Sequence, residues 1–322
     1  MAKTKASRRK RPQTAGRGAT PRRRTPPPRQ RTRPVILGAA MAVIALVVVV
    51  ALLVNRGGGE GDSVDDSEGA QPGAAAITGP DFHSLTADPV TPGRLFAGGH
   101  QNVSVSTDNG RTWSEIEALR DADAMGWGFA DGAVYVSGHP GLNRSTDDAR
   151  TFERINQGLP GTDVHAFGAG QTTLYGAAAG VGVFSSTDGG TTWRTVNNDA
   201  GAAFFGRILG DADDEQHLVA ADARTGPLES NDGGRTWTPL DAGIPATWVS
   251  GTNDLEQLIA SGPQGAAKST DGGANWQPLE LPDGASLVEL SPDRTTLLAG
   301  VHRPPSVEVY LSRDGGSTWE RP

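Results

Sequence analysis

Six histidines and a small set of aspartates are the side chains best able to do chemistry here, because the chain has no cysteine and so no thiolate nucleophile or thiolate metal ligand. His100 (AGGHQN), His139 (VSGHPG) and His302 (AGVHRP) each follow a short apolar run. His83 and His165 open such runs in a shared Asp-x-His context, Asp81-Phe-His83 and Asp163-Val-His165. Asp121 and Asp123 precede a third run of the same kind. Imidazole and carboxylate together are fitting ligands for a transition metal, copper or zinc, which makes His83, His100, His139, His165 and His302 the candidate metal ligands. Two carboxyl groups could instead serve as acid and base, or acid and nucleophile, toward a sugar, which makes Asp81, Asp121, Asp123 and Asp163 the candidate catalytic residues. No spacing within either set is diagnostic, and the alternative is a set of repeat-derived loop residues on a solvated surface. No phosphate-cradling glycine loop and no Ser-His-Asp spacing is present.

The elements that must position these residues are set by an internal repeat. One octapeptide recurs as STDNGRTW (106–113), STDDARTF (145–152), STDGGTTW (186–193), SNDGGRTW (230–237), STDGGANW (269–276) and SRDGGSTW (312–319). Its aspartates, Asp108, Asp147, Asp188, Asp232, Asp271 and Asp314, are spaced by 39, 41, 44, 39 and 43 residues, the length of about four short strands. The strands can be read directly: HSLTADP, RLFAGG, NVSVSTD and TWSEIE in the first unit, ASLVELSPD, TTLLAGV, SVEVYLS and TWERP in the sixth. The octapeptide falls between the third and fourth strands. Its Asp accepts hydrogen bonds from its own turn, its Gly supplies φ > 0, and its aromatic residue (Trp113, Phe152, Trp193, Trp237, Trp276, Trp319) anchors the next strand. The second copy has Ala149 at the Gly position and Phe152 for Trp, so a looser turn is expected there.

This motif resembles the Asp box of sialidases, sortilin-type receptors, some endoglucanases and photosystem-assembly propellers. The resemblance covers 81–322 and is nearest to bacterial membrane-anchored Asp-box proteins labelled glycosylhydrolases. It implies an all-β fold, a six-bladed β-propeller of four-stranded blades, in which the boxes are structural. It also implies a ligand site at the central channel on the face opposite the boxes, where the strand scheme places every histidine except His217. Glycoside hydrolysis is the alternative that the label implies. A sialidase would need an arginine triad and a tyrosine nucleophile; the chain has no Arg-Ile-Pro motif near its first strand, and Tyr135, Tyr175 and Tyr310 fall inside strands. Trp127 and Trp248, outside the boxes, read as core packing or as a platform for a sugar ring.

Charge divides the chain. Residues 1–34 hold 13 of its 29 basic residues and no acid, whereas 57–322 holds 15 basic and 37 acidic residues, a net charge of −22. Val35 to Val54 is 20 residues without a charged or strongly polar side chain, enough to span a bilayer as a helix, and the charge bias puts the N-terminus in the cytoplasm. The expected organisation is a disordered basic cytoplasmic tail (1–34), a transmembrane helix (35–54), a flexible acidic Gly-rich linker (55–80) and a propeller (81–322) outside the cytoplasmic membrane. The expected partners are the membrane and an extracytoplasmic protein or glycan; the acidic domain repels nucleic acid, and a monomer is expected.

Overall fold

Short apolar runs punctuated by Gly, Pro and Asp become, in the computed structural model, mostly antiparallel strands of two to eight residues, with a single 3-10 turn among the described residues at Glu117–Leu119. Residues 73–77 and 79–322 are described. The expected tail, membrane helix and all but the end of the expected linker lie outside them. No helix among the described residues is long and apolar enough to cross a membrane.

A three-residue strand, β1 (Ala74–Ala76), comes first. The first unit is β2 (Phe82–Ala87), β3 (Leu95–Gly99), β4 (Val103–Ser106) and β5 (Ser114–Glu115). The second is β6 (Asp123–Ala130), β7 (Ala133–His139), β8 (Gly141–Ser145) and β9 (Glu153–Arg154). The third is β10 (Val164–Ala169), β11 (Leu174–Ala178), β12 (Gly182–Ser186) and β13 (Arg194–Asn197). The fourth is β14 (Phe204–Gly210), β15 (Leu218–Asp222), β16 (Gly226–Ser230) and β17 (Thr238–Pro239). The fifth is β18 (Trp248–Gly251), β19 (Leu258–Gly262), β20 (Gly265–Ser269) and β21 (Gln277–Leu279). The last run is β22 (Ala285–Leu290), β23 (Leu297–Arg303) and β24 (Ser306–Ser312). Each unit is an antiparallel meander, and the third and fourth join where the inner strands β10 and β14 pair in parallel.

The first strands contact one another in cyclic order, β22 returning to β2. The core follows the same cycle. Apolar clusters fill the space between each unit and the next, from Phe96, Trp127 and Val136 between the first two to Leu85, Leu298 and Val309 between last and first. Every box aromatic wedges into the cluster facing the preceding unit, Trp113 against the last unit's side and Trp193 against Phe184. The arrangement is a β-propeller.

The final unit departs from the expected strand reading. Its fourth strand is not TWERP alone: Glu320 makes a single bridge to Leu311, while β1 pairs with β24 through Ala74–Glu308, Ala75–Val307 and Ala76–Ser306. The outer edge is thus shared by both ends of the described chain. The stretch expected as linker supplies this strand, and the propeller begins before residue 81.

The boxes behave as their chemistry dictates. In the first, Ser106 Oγ and the Thr112 amide donate to Asp108 Oδ1 at 2.8 and 2.9 Å, and Thr112 Oγ1 donates to Oδ2 at 2.7 Å. The Thr112 hydrogen bonds hold the Asp108 carboxyl at about 2. The second box is as tight as the others: Ala149 accepts a φ of +61°, its amide donates to Ser145 Oγ at 3.0 Å, and Thr151 closes on Asp147 at 2.9 Å. Favourable carboxylate bonds outweigh a left-handed alanine that costs about 1 kcal/mol.

Two stability outcomes follow. Ala149→Gly should raise stability by about 1 kcal/mol, read by denaturant unfolding, because Gly carries no Cβ penalty at that φ. Ala75→Asp puts a charge on a fully buried position of the closing strand and should cost about 3 kcal/mol or more in the same measurement.

Candidate functional site

The axis of the ring is filled. Gly126 of β6 meets β10 and β14 so closely that a Cβ there would lie 2.6 Å from the Gly206 carbonyl oxygen and 2.7 Å from the Phe167 nitrogen. Glu289 of β22, fully buried, gathers four of the inner strands. Its Oε1 accepts from Thr86 Oγ1 at 3.1 Å, the Ala87 amide at 3.2 Å and Arg207 Nη1 at 2.8 Å, and its Oε2 accepts from Trp248 Nε1 at 3.2 Å. Burial pushes the Glu289 carboxyl up, against the opposing pull of Arg207. Trp127 and Trp248 are fully buried core residues, Trp127 donating to Ser84 Oγ at 2.9 Å and stacking on Phe96 at 4.7 Å. They offer no sugar platform. A cavity of about 140 Å3 lined by Arg207, Glu289 and Arg294 opens at the end of the inner strands nearer the boxes.

At the other end the candidate residues converge. Asp123 is the first residue of β6, with a side chain 5% exposed. Its Oδ1 lies 3.3 Å from His83 Nε2, at the start of β2, and its Oδ2 lies 3.3 Å from His100 Nδ1, just after β3. Asp81, His83 and His100 can each present one ligand atom with all three inside 4.8 Å of one another. His83 Nε2 and Asp123 Oδ1 are buried without a hydrogen-bond partner, as is His302 Nε2. Burial drives the His83 imidazole down to about 4 despite Asp81, with His100, His165 and His302 adding to the fall. Burial raises the Asp123 carboxyl to about 6.

A second group lies beside it. His165 Nε2 sits 2.8 Å from Asp163 Oδ1, and His139 Nδ1 3.8 Å from the same oxygen. The His165 hydrogen bond pulls the Asp163 carboxyl down. The His165 ring stacks on Phe205 at 4.9 Å. His302 packs at 6.3 Å from the Phe82 ring, and burial lowers its pKa. Of the expected carboxylates, Asp81, Asp123 and Asp163 join these groups. Asp121 does not: it is an exposed left-handed turn residue, φ +63°, whose amide bonds Gln101. His217 lies toward the box face between Asp211 (3.0 Å) and Glu229 (2.9 Å). Sequence reasoning missed Glu289 and Arg207; a lone charge inside each of two otherwise apolar inner strands, ASLVEL and FFGRILG, is the signal that marks them.

The comparisons with known proteins fit this architecture. The BNR/Asp-box repeat family matches residues 104–115, the first box with its flanks. This chain is an Asp-box β-propeller. The GH74 xyloglucanase of Xanthomonas campestris is similar at 18% identity and a TM-score of 0.54, over 78% of this chain and 46% of the xyloglucanase. A chain of the nidogen/laminin complex is similar at 14% identity and a TM-score of 0.55, over 70% of this chain and 91% of its own. The extracellular domain of a one-component system from B. thetaiotaomicron is similar at 12% identity and a TM-score of 0.50, over 75% of this chain and 36% of its own. These likenesses show the fold. The Asp-box propeller spans less than half of the xyloglucanase. No curated protein matches it in sequence.

The Asp123 carboxyl gives a pH-dependent stability. Its folded pKa, about 6, stands above the ordinary 3.8, so its contribution is neutral below the unfolded value, turns into a growing penalty as pH rises from there to about 6, and is constant above. Asp123→Asn should therefore stabilise the metal-free protein near pH 8 by up to about 3 kcal/mol and change little near pH 4, as measured by thermal unfolding at the two pH values.

Proposed function

We propose that this Asp-box propeller is a closed ring of six blades held outside the cytoplasmic membrane by the Val35 to Val54 helix, and that it binds a ligand at the mouth where the histidines gather. The observation that carries the reading is the placement of Asp123, a nearly buried carboxylate braced between two imidazoles from the neighbouring unit. The closed ring is supported by the cyclic contacts of the inner strands. Outside location is supported by the charge asymmetry around the apolar segment. The ligand classes that suit the face are a metal ion, a glycan or an extracytoplasmic protein. Sialidase chemistry finds no support, since the Tyr175 hydroxyl is engaged with the Glu215 carbonyl oxygen at 2.9 Å and the Tyr310 hydroxyl with Glu308 at 3.1 Å.

One observation favours a second reading, glycoside hydrolysis. A carboxyl raised to about 6 has the pKa of a general acid. Against it, Asp123 and Asp163 are each taken up by histidines, whereas a glycosidase needs two carboxyl groups facing one sugar across a cleft. The full chain in detergent, incubated with xyloglucan and other soluble glycans, separates the two. The binding reading expects no new reducing ends, with saturable stabilisation by a ligand that Asp123→Asn removes and His217→Ala leaves intact. Reducing ends formed by the unaltered protein and lost in Asp123→Asn would overturn it.

A further inference from the structure

We infer that Asp81, His83 and His100, braced by Asp123, form a site for one divalent transition-metal ion. The inference rests on reading the histidine mouth as the ligand-binding face and narrows the ligand there to an ion.

Geometry comes first. The three ligand atoms already lie within 4.8 Å of one another, whereas ligands about 2.1 Å from a four-coordinate ion are roughly 3.4 Å apart. The required contraction is small. His100 can supply it, because its side chain is 51% exposed, against 21% for His83. The segment that delivers Asp81 also passes His100: Gly79 lies against the His100 side chain, where a Cβ would be 3.7 Å away.

The second argument is the pair of buried atoms without partners. His83 Nε2 and Asp123 Oδ1 face each other at 3.3 Å, and neither makes a hydrogen bond. Leaving both unmet is costly in a buried place. An ion on the other nitrogen of His83 fixes the proton on Nε2, which then donates to Asp123 Oδ1 and satisfies both at once. The same carboxylate reaches His100 Nδ1 with its other oxygen, so one buried aspartate sets the tautomer and orientation of both imidazoles. Asp123 is thus a positioning residue, and Asp81, His83 and His100 are the ligands. Two imidazoles and one carboxylate suit Cu(II) and Zn(II), and disfavour Mg(II) and Ca(II), which take oxygen donors.

The test is titration of the chelator-stripped full chain in detergent with Zn(II) and Cu(II), by calorimetry and by thermal unfolding, with Mg(II) as the control for loose binding to the acidic surface. One ion per chain and a raised unfolding temperature are expected. His100→Ala, at an exposed side chain that leaves the apo protein intact, should weaken binding at least 100-fold, as should His83→Ala. Asp123→Asn should weaken it about 10- to 100-fold. His139→Ala, beside the separate Asp163, should stay within 2-fold of the unaltered protein. No uptake of either ion, or uptake that survives both His83→Ala and His100→Ala, overturns the inference. If no ion binds while a glycan or protein still stabilises the chain in an Asp123-dependent manner, the ion falls and the binding face stands; if nothing acts at that face, both fall.

Discussion

Three residues at the start of the described chain close the ring, and the candidate site depends on that closure. Ala74–Ala76 pair with Ser306–Glu308, more than two hundred residues away, and the Ala76 carbonyl accepts from Asn102 Nδ2 at 2.9 Å and Ser104 Oγ at 2.7 Å. Ala75 and Ile77 are then buried with Leu85 and Val307, so backbone pairing and apolar packing act together at the seam. An unpaired β24 would be a sheet edge open to other chains. The chain leaves this strand through Ile77, whose amide bonds the Pro305 carbonyl at 3.0 Å, and goes directly to Asp81 and His83. Closing the ring and placing two of the site residues are one event.

The filled axis explains why chemistry is confined to a mouth. Where Gly126 touches β10 and β14 the backbones approach too closely to leave a lumen, and the charge of Glu289 is taken up by Thr86, Trp248 and Arg207. Burying Glu289 is unfavourable alone and tolerable only because four donors meet it. The boxes stabilise the opposite side through local turns, each complete in itself. Architecture and candidate function therefore occupy different ends of the same strands, as expected when a site is grafted onto a scaffold.

The scaffold was legible because its signals are local. A box aspartate, its serine two residues before and its threonine four residues after lie within one octapeptide, so sequence spacing and contact coincide. The closing strand was not legible. Ala-Ala-Ala has no strand signature, and its partner lies at the far end of the chain. The site was half legible: the strand scheme sends His83, His100 and Asp123 to one end, yet nothing local says that Asp123 bridges the two histidines of the preceding unit while Asp121, two residues earlier, turns away. That difference is one of backbone conformation, a left-handed turn at Asp121 against the first extended residue of β6 at Asp123.

The direction in which the chain enters the ring carries a further consequence. Gly73 donates to the Arg111 carbonyl, inside the first box, and β1 then runs toward the turn at Pro305 and the His100 loop. The described chain therefore enters the outer rim on the box side. The histidine mouth lies at the opposite end of the strands, so a diffusing solute reaches Asp81, His83 and His100 without passing the boxes.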